Sequence, residues 1–318
     1  MPFYFPKAFV VCLGTLALNA GALPPPLEPV SEQLPPSYFP GLQTTSAWEL
    51  YLAGLRDLYP DRVLAEPPAG AGPEQQREPY HEALGGNVTY YRLYSFADIS
   101  GETLAALSGE RWLVIDCRFL NGHQSEAWPR FWRTFGELPL KRFEPGSGLS
   151  EVAVPHASHQ RQAGLPPPIV LVNASTRGPF EAALAHLQKT RAIVLLGGAT
   201  AGETGIAYER LAADLDAVVV SADLRPASGE MLLGTGVDPK VKVEVAAELD
   251  YQAFAFVEKG VQARQLISTS LPQLVDVLDE SEDARTAAPQ ERYTDEVLQR
   301  AVEILIARQL LNGTDLAN

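Results

Sequence analysis

Pro168-Ile169-Val170-Leu171-Val172-Asn173-Ala174-Ser175-Thr176-Arg177-Gly178-Pro179-Phe180-Glu181 carries the chain from one kind of structure to another within a few residues. Ile169 to Val172 is an unbroken apolar run. An open face would impose polar alternation, so this run predicts a strand covered on both sides. Asn173 to Arg177 is polar and predicts a turn. Gly178 and Pro179 then predict a helix start, with Gly178 as N-cap and Pro179 at the first helical position. Glu181 would face the positive end of that helix.

The same alternation extends outward in both directions. Val88 to Leu93 and Trp112 to Cys117 predict strands, the second apolar until Asp116. Gly101 to Leu107 and the aromatic-rich Ser125 to Phe135 predict helices between them. Phe180 to Lys189 predicts a helix, and Ala192 to Leu196 and Ala217 to Val220 predict further strands. Asp295 to Leu311 closes the pattern with Val297, Ala301, Ile304 and Leu311 near helical spacing. Apolar strands separated by helices indicate an α/β domain.

Composition agrees with a folded core. The chain has 318 residues, 46% of them apolar and 20% charged. A formal charge of −14 argues against a long phosphate-binding surface, so no nucleic-acid partner is expected. Lys7, the apolar run Ala8 to Leu18 and the small residues Ala20-Gly21-Ala22 read as a secretory signal over residues 1–22. Cleavage after about Ala22 would place the mature chain in the periplasm or outside the cell, with no membrane span. An uncleaved anchor is the other reading of this segment. Cys117 would then be the one remaining cysteine, a small buried apolar residue on a strand. Residues 23–87 are expected to form a Pro-rich linker with one helical segment from Ser46, ending in a surface loop over 65–87. Residues 280–292 are expected to form another loop. The domain proper is placed at 88–311, with 312–318 as a tail.

Three stretches, in order, resemble the protease domain of the tail-specific (C-terminal-processing) serine protease family, peptidase S41. Leu113-Val114-Ile115-Asp116-Cys117-Arg118-Phe119-Leu120-Asn121-Gly122-His123 is similar to the family strand ending in Asp-Leu-Arg and its Asn-Pro-Gly-Gly turn. The resemblance implies that main-chain N–H groups at Gly122 and His123 form the oxyanion turn. Asn173, Thr176 and Glu181 match the strand and helix start that carry the nucleophilic serine, which places Gly178 on that serine. Ala192 to Gly205 resembles the strand and Gly-x-x-Thr-x-Gly-Lys-Gly turn that carries the lysine base. The base then falls on Glu203, and the supporting glutamine on Ala207. Gly178 and Glu203 keep the family's serine-to-lysine separation in one gap-free register. Gly234 to Val241 and Asp295 to Ala301 are weaker matches to late segments.

The resemblance implies a core of stacked βαβ units, as in crotonase and ClpP, without a PDZ module. It also implies an exported pseudoprotease. Glycine offers no attacking atom, and a carboxylate replaces a base that must be a desolvated amine. The former groove, lined by Asp116, Arg118, Arg177 and Gly178, would hold a peptide or protein segment. No cofactor is implied. Two rescues remain open. Ser175 or Thr176 could act as a displaced nucleophile with Glu203 or His123 as base. His123 and Glu203, joined by His156 and His159, could instead hold a metal, although two ligands alone are too few. A small-ligand site on the same fold is a further alternative.

Overall fold

The computed structural model describes residues 63–64, 79–97, 99–124, 127–210, 218–267 and 294–311. Residues 1–62, which hold the expected signal and the expected helix from Ser46, residues 65–78 and the 280–292 stretch lie outside the described residues.

Eleven strands are described: β1 (Val63–Leu64), β2 (Tyr80–Leu84), β3 (Val88–Arg92), β4 (Trp112–Asp116), β5 (Leu140–Glu144), β6 (Gly148–Val152), β7 (Ile169–Val172), β8 (Val194–Gly197), β9 (Gly205–Arg210), β10 (Val218–Arg225) and β11 (Val241–Lys242). Five α-helices accompany them among the described residues: α1 (Gly101–Gly109), α2 (Trp128–Arg133), α3 (Glu181–Lys189), α4 (Ala247–Glu258) and α5 (Glu296–Leu311).

A six-stranded sheet runs in the order β11-β8-β7-β4-β3-β2. Its first five strands are parallel, and β2 closes one edge antiparallel to β3. Successive side chains on a strand point to opposite faces. Leu113, Ile115, Val170 and Val172 therefore meet Leu184 and Leu187 of α3 and the rings of Phe131 and Trp132. Val114, Ile169 and Leu171 meet Val297, Leu298, Ala301 and Leu305 of α5. Each face has its own apolar layer, which is why these strands read as continuous hydrophobic runs. A second, antiparallel sheet follows β1-β10-β5-β6, with β9 also pairing β10.

Three expectations change. The 65–87 loop contains β2 at its end, so the domain begins before Val88. Gly85-Gly86-Asn87 makes the hairpin turn, with Gly86 at φ 71° and Asn87 at φ 58°. Gly178 is not the N-cap: the helix starts at Glu181, and Gly178 sits before it at φ 125°. The last helix buries Val297, Ala301 and Leu305, while Leu311 is exposed. The β5–β6 hairpin, β9 and α4 have no counterpart in the apolar pattern described above.

Candidate functional site

Two turns meet at the C-terminal ends of β4 and β7. Arg177 N–H donates to Leu120 C=O at 3.0 Å, and Gly122 N–H donates to Arg177 C=O at 2.8 Å. Asn121 and Arg177 thus form a one-residue parallel bridge. A side chain would be crowded at either glycine, on Gly122 by the Phe180 ring and on Gly178 by the Gly122 backbone. A Cβ on Gly122 would lie 2.2 Å from the Phe180 ring. A Cβ on Gly178 would lie 2.9 Å from the Gly122 Cα, on a backbone at φ 125° that L side chains rarely adopt.

A third turn is tied to these two by Glu181. This fully buried carboxylate accepts from Gly178 N–H at 3.1 Å, Glu203 N–H at 2.8 Å and Gly202 N–H at 2.7 Å. Thr200 Oγ1 also donates to it, while accepting from Val237 N–H at 2.8 Å. Burial pushes the Glu181 carboxyl above its ordinary value, and the four donors offset part of that rise.

Gly122, His123, Arg177, Gly178 and Glu203 therefore converge. Arg177 Nη1 lies 3.3 Å from Glu203 Oε1. His123 Nε2 lies 3.5 Å from Glu203 Oε2, too long for a good hydrogen bond. The adjoining His123, followed by Arg177, holds the Glu203 carboxyl below its ordinary value despite partial desolvation. Tyr208 donates its hydroxyl to Gly205 C=O at 2.9 Å and sits 3.5 Å from His123 Nδ1. Burial raises the Tyr208 phenol. Ala207 is half-buried on β9 opposite Ala222 of β10 and presents no polar group.

Three expected roles do not survive this geometry. Thr176 is fully buried, and its hydroxyl donates to Cys117 C=O at 2.9 Å while accepting from Asn173 N–H at 3.0 Å. It braces the turn and is not available to attack a substrate. Asp116 and Arg118 are 0% and 1% exposed, so neither lines an open groove. Arg118 instead grips Asp116 through Nε at 3.0 Å and Nη2 at 2.7 Å. It also binds Asp295 at 3.0 and 2.7 Å and Asp250 at 2.8 Å. Tyr90 donates to Asp116 at 2.7 Å, and buried Arg92 lies 3.7 Å from it. This is an internal clamp joining β4 to α4 and α5. Ser175 stays half-buried in the turn, with its N–H on Asn173 Oδ1 at 3.1 Å. Cys117 is fully buried, and burial pushes its thiol well up.

Asp250 and Asp295 entered no expected site. Each lies more than a hundred residues from Arg118, and local spacing carries no sign of the pairing. The one local cue is Asp295 as a helix cap, since its Oδ1 accepts from Leu298 N–H at 3.0 Å. Among the described residues, no group of three or more His, Cys, Asp or Glu is placed to hold a metal ion. His156 is exposed and His159 half-buried on the stretch after β6. No helix of the described residues is long and apolar enough to cross a membrane.

Solved structures share this architecture. A candidate peptidase from Parabacteroides merdae aligns over 70% of this chain and 82% of its own, at 15% identity and a TM-score of 0.50. The chain shares its mixed α/β fold with that structure. A candidate S41 protease from Bacteroides fragilis aligns over 58% of each chain at 15% identity and TM-score 0.42. The photosystem II D1 C-terminal processing protease aligns at 21% identity and TM-score 0.38, over 58% of this chain but only 46% of its own. No protein-family model matches the sequence, and no curated protein gives a significant match.

Proposed function

We propose that this chain is an exported S41-type pseudoprotease that binds peptide or protein segments without cleaving them. The observation that carries the reading is the bridge between the two turns. Acyl transfer needs an attacking atom, a base and free donors for the developing oxyanion. Gly178 supplies no attacking atom, and Gly122 backbone fills the place its Cβ would take. The main-chain donor at Gly122 is spent on Arg177 C=O, and the one at Gly178 on Glu181. Glu203, where a lysine base would stand, is an anion shared between Arg177 and His123.

A binding role fits what is left. Arg177 and Glu203 are 41% and 32% exposed, so a charged pair remains at the mouth of the closed site. Binding of an extended segment draws on main-chain pairing and a few side chains, and requires no nucleophile. Export rests on residues 1–22.

The test is to incubate the purified mature chain with an unfolded protein and with a set of labelled peptides. The expected result is saturable peptide binding, weakened by Glu203→Gln, with no new cleavage product. Cleavage that disappears in Ser175→Ala would make the chain a hydrolase with a displaced nucleophile and end the pseudoprotease reading. Absence of any peptide binding would end the binding half. Recovery of the full chain only inside the cytoplasm would end the export half.

A further inference from the structure

Beyond the closed site, an aromatic ledge lies on α4 and the end of β4. Phe119, in the turn after β4, has φ 64°. A bulky non-glycine residue there is a backbone outlier and costs free energy that the surroundings must offset. Its N–H is held by Asn173 Oδ1 at 3.2 Å. The strained turn sets the Phe119 ring 4.9 Å from Phe254 and 5.8 Å from Tyr251, centroid to centroid. Tyr251 and Phe254, one helical turn apart, are near-parallel at 6.2 Å. Tyr251 is 58% exposed, so this side of the ledge is open to solvent.

The charges carried by α4 itself have one sign. The α4 segment Ala247–Glu258 carries Glu248, Asp250 and Glu258 and no lysine or arginine. Asp250 is consumed by Arg118, but Glu248 is exposed three residues before Tyr251, hence on the same helix face. Exposed Glu244 lies just before the helix. Phe254 already carries one guanidinium, with Arg92 Cζ 4.2 Å from its centroid. Ring faces bordered by carboxylates are the chemistry that holds a guanidinium or ammonium group.

We infer that this ledge, Phe119, Tyr251 and Phe254 with the Glu248 carboxylate, is a docking surface for an Arg- or Lys-bearing segment of a partner protein. Phe119 lies in the turn that leads into the Gly122–Gly178 bridge, but the ledge uses none of the bridge's residues and does not depend on whether that site is inactive. The partner's aliphatic stems would lie against the Phe119 ring and its cationic heads against Tyr251 and Glu248. Binding would weaken as ionic strength rises.

The experiment titrates the full chain at low salt with a short Arg- and Lys-rich peptide, and separately with a Glu-rich peptide of the same length. Only the basic peptide is expected to bind. Tyr251→Ala and Glu248→Lys should each weaken it about fivefold or more, with Tyr251→Phe close to the parent. Both positions are exposed, and an unchanged melting temperature would confirm that the fold is intact. Glu151→Lys, an exposed change on β6 of the other sheet, alters the net charge equally and should have little effect. The inference is overturned if the Glu-rich peptide binds as well, or if Glu151→Lys weakens binding as much as Glu248→Lys. It is also overturned if Tyr251→Ala has no effect, or if Tyr251→Ala abolishes self-association of the chain in place of peptide binding.

Discussion

Two buried carboxylates, Asp116 and Glu181, stand at the ends of neighbouring segments and are stabilised by opposite means. Asp116 faces cations, with Arg118 in a two-pronged contact and Arg92 behind. Glu181 faces no cation; three N–H groups and one hydroxyl hold it. Burial works against ionisation at both. At Asp116 the arginines overcome burial and bring the carboxyl down to about 2. At Glu181 the dipoles do not, and the carboxyl stays above its ordinary value. At these two sites the counter-charge on Asp116 reverses the desolvation penalty, whereas the donors around Glu181 only reduce it. The clamp around Asp116 belongs to the fold. The Glu181 hub holds three turns in a closed arrangement.

The largest effect should come from removing the clamp's cation. Arg118→Met leaves Asp116, Asp250 and Asp295 buried with Arg92 alone for charge. A broken buried ion network costs about 3–5 kcal/mol, which should be visible as a large drop in denaturant midpoint or as failure to fold. Combining it with Asp116→Asn should recover part of the loss. A small effect of Arg118→Met would place the network at the margin of stability and undo the contrast with Glu181.

Next in size is the change at the bridge itself. Gly178→Ser puts a Cβ 2.9 Å from Gly122 Cα at φ 125°, and should cost about 2–4 kcal/mol in denaturant unfolding from backbone strain and overpacking. Restoring both side chains, Gly178→Ser with Glu203→Lys, should therefore give no cleavage. A stable, cleaving double variant would show that the turns separate easily and that the site is only dormant.

Acid titration should then split the two carboxylates by sign. Asp116 is fully buried, and its drop from 3.8 to about 2 corresponds to about 2 kcal/mol. That stability is present above the unfolded value and is lost as the pH falls from roughly 4 towards 2. Glu181 runs the other way. Its folded value is raised, so its contribution is full below the ordinary carboxyl value and is lost as the pH rises through the folded value. Denaturant midpoints against pH should lose their acid limb in Asp116→Asn and keep it in Glu181→Gln.

The contrast also shows what a linear chain can reveal. β4, β7 and α3 were legible because burial on both faces leaves a continuous apolar run, and their period survives in the sequence. The convergence of Gly122, Gly178 and Glu203 was legible through one register that fixed two turns at once. The clamp was not, because Asp250 and Asp295 acquire meaning only when α4 and α5 pack against β4. Nor does the sequence tell a helix cap from a left-handed turn at Gly178, since glycine suits both. The β5–β6 hairpin escaped because Lys141, Arg142, Glu144 and Glu151 give it a polar surface, with little of the apolar signal that marks the buried strands.

The smallest expected effect falls on Arg177, and its smallness is informative. Its side chain is 41% exposed and meets a Glu203 that is 32% exposed, so the pair is screened by water and salt. Arg177→Ala should change stability by no more than about 0.5 kcal/mol in denaturant unfolding. The bridge survives that change because Arg177 holds it through its own N–H and C=O. Arg177→Pro removes the N–H that donates to Leu120 and should cost distinctly more than Arg177→Ala. If the two variants were equally destabilised, the closure of the site would depend on the exposed ion pair. The turns would then be held by charge, as the clamp is, and the distinction between the two regions would fail at the residue that joins them.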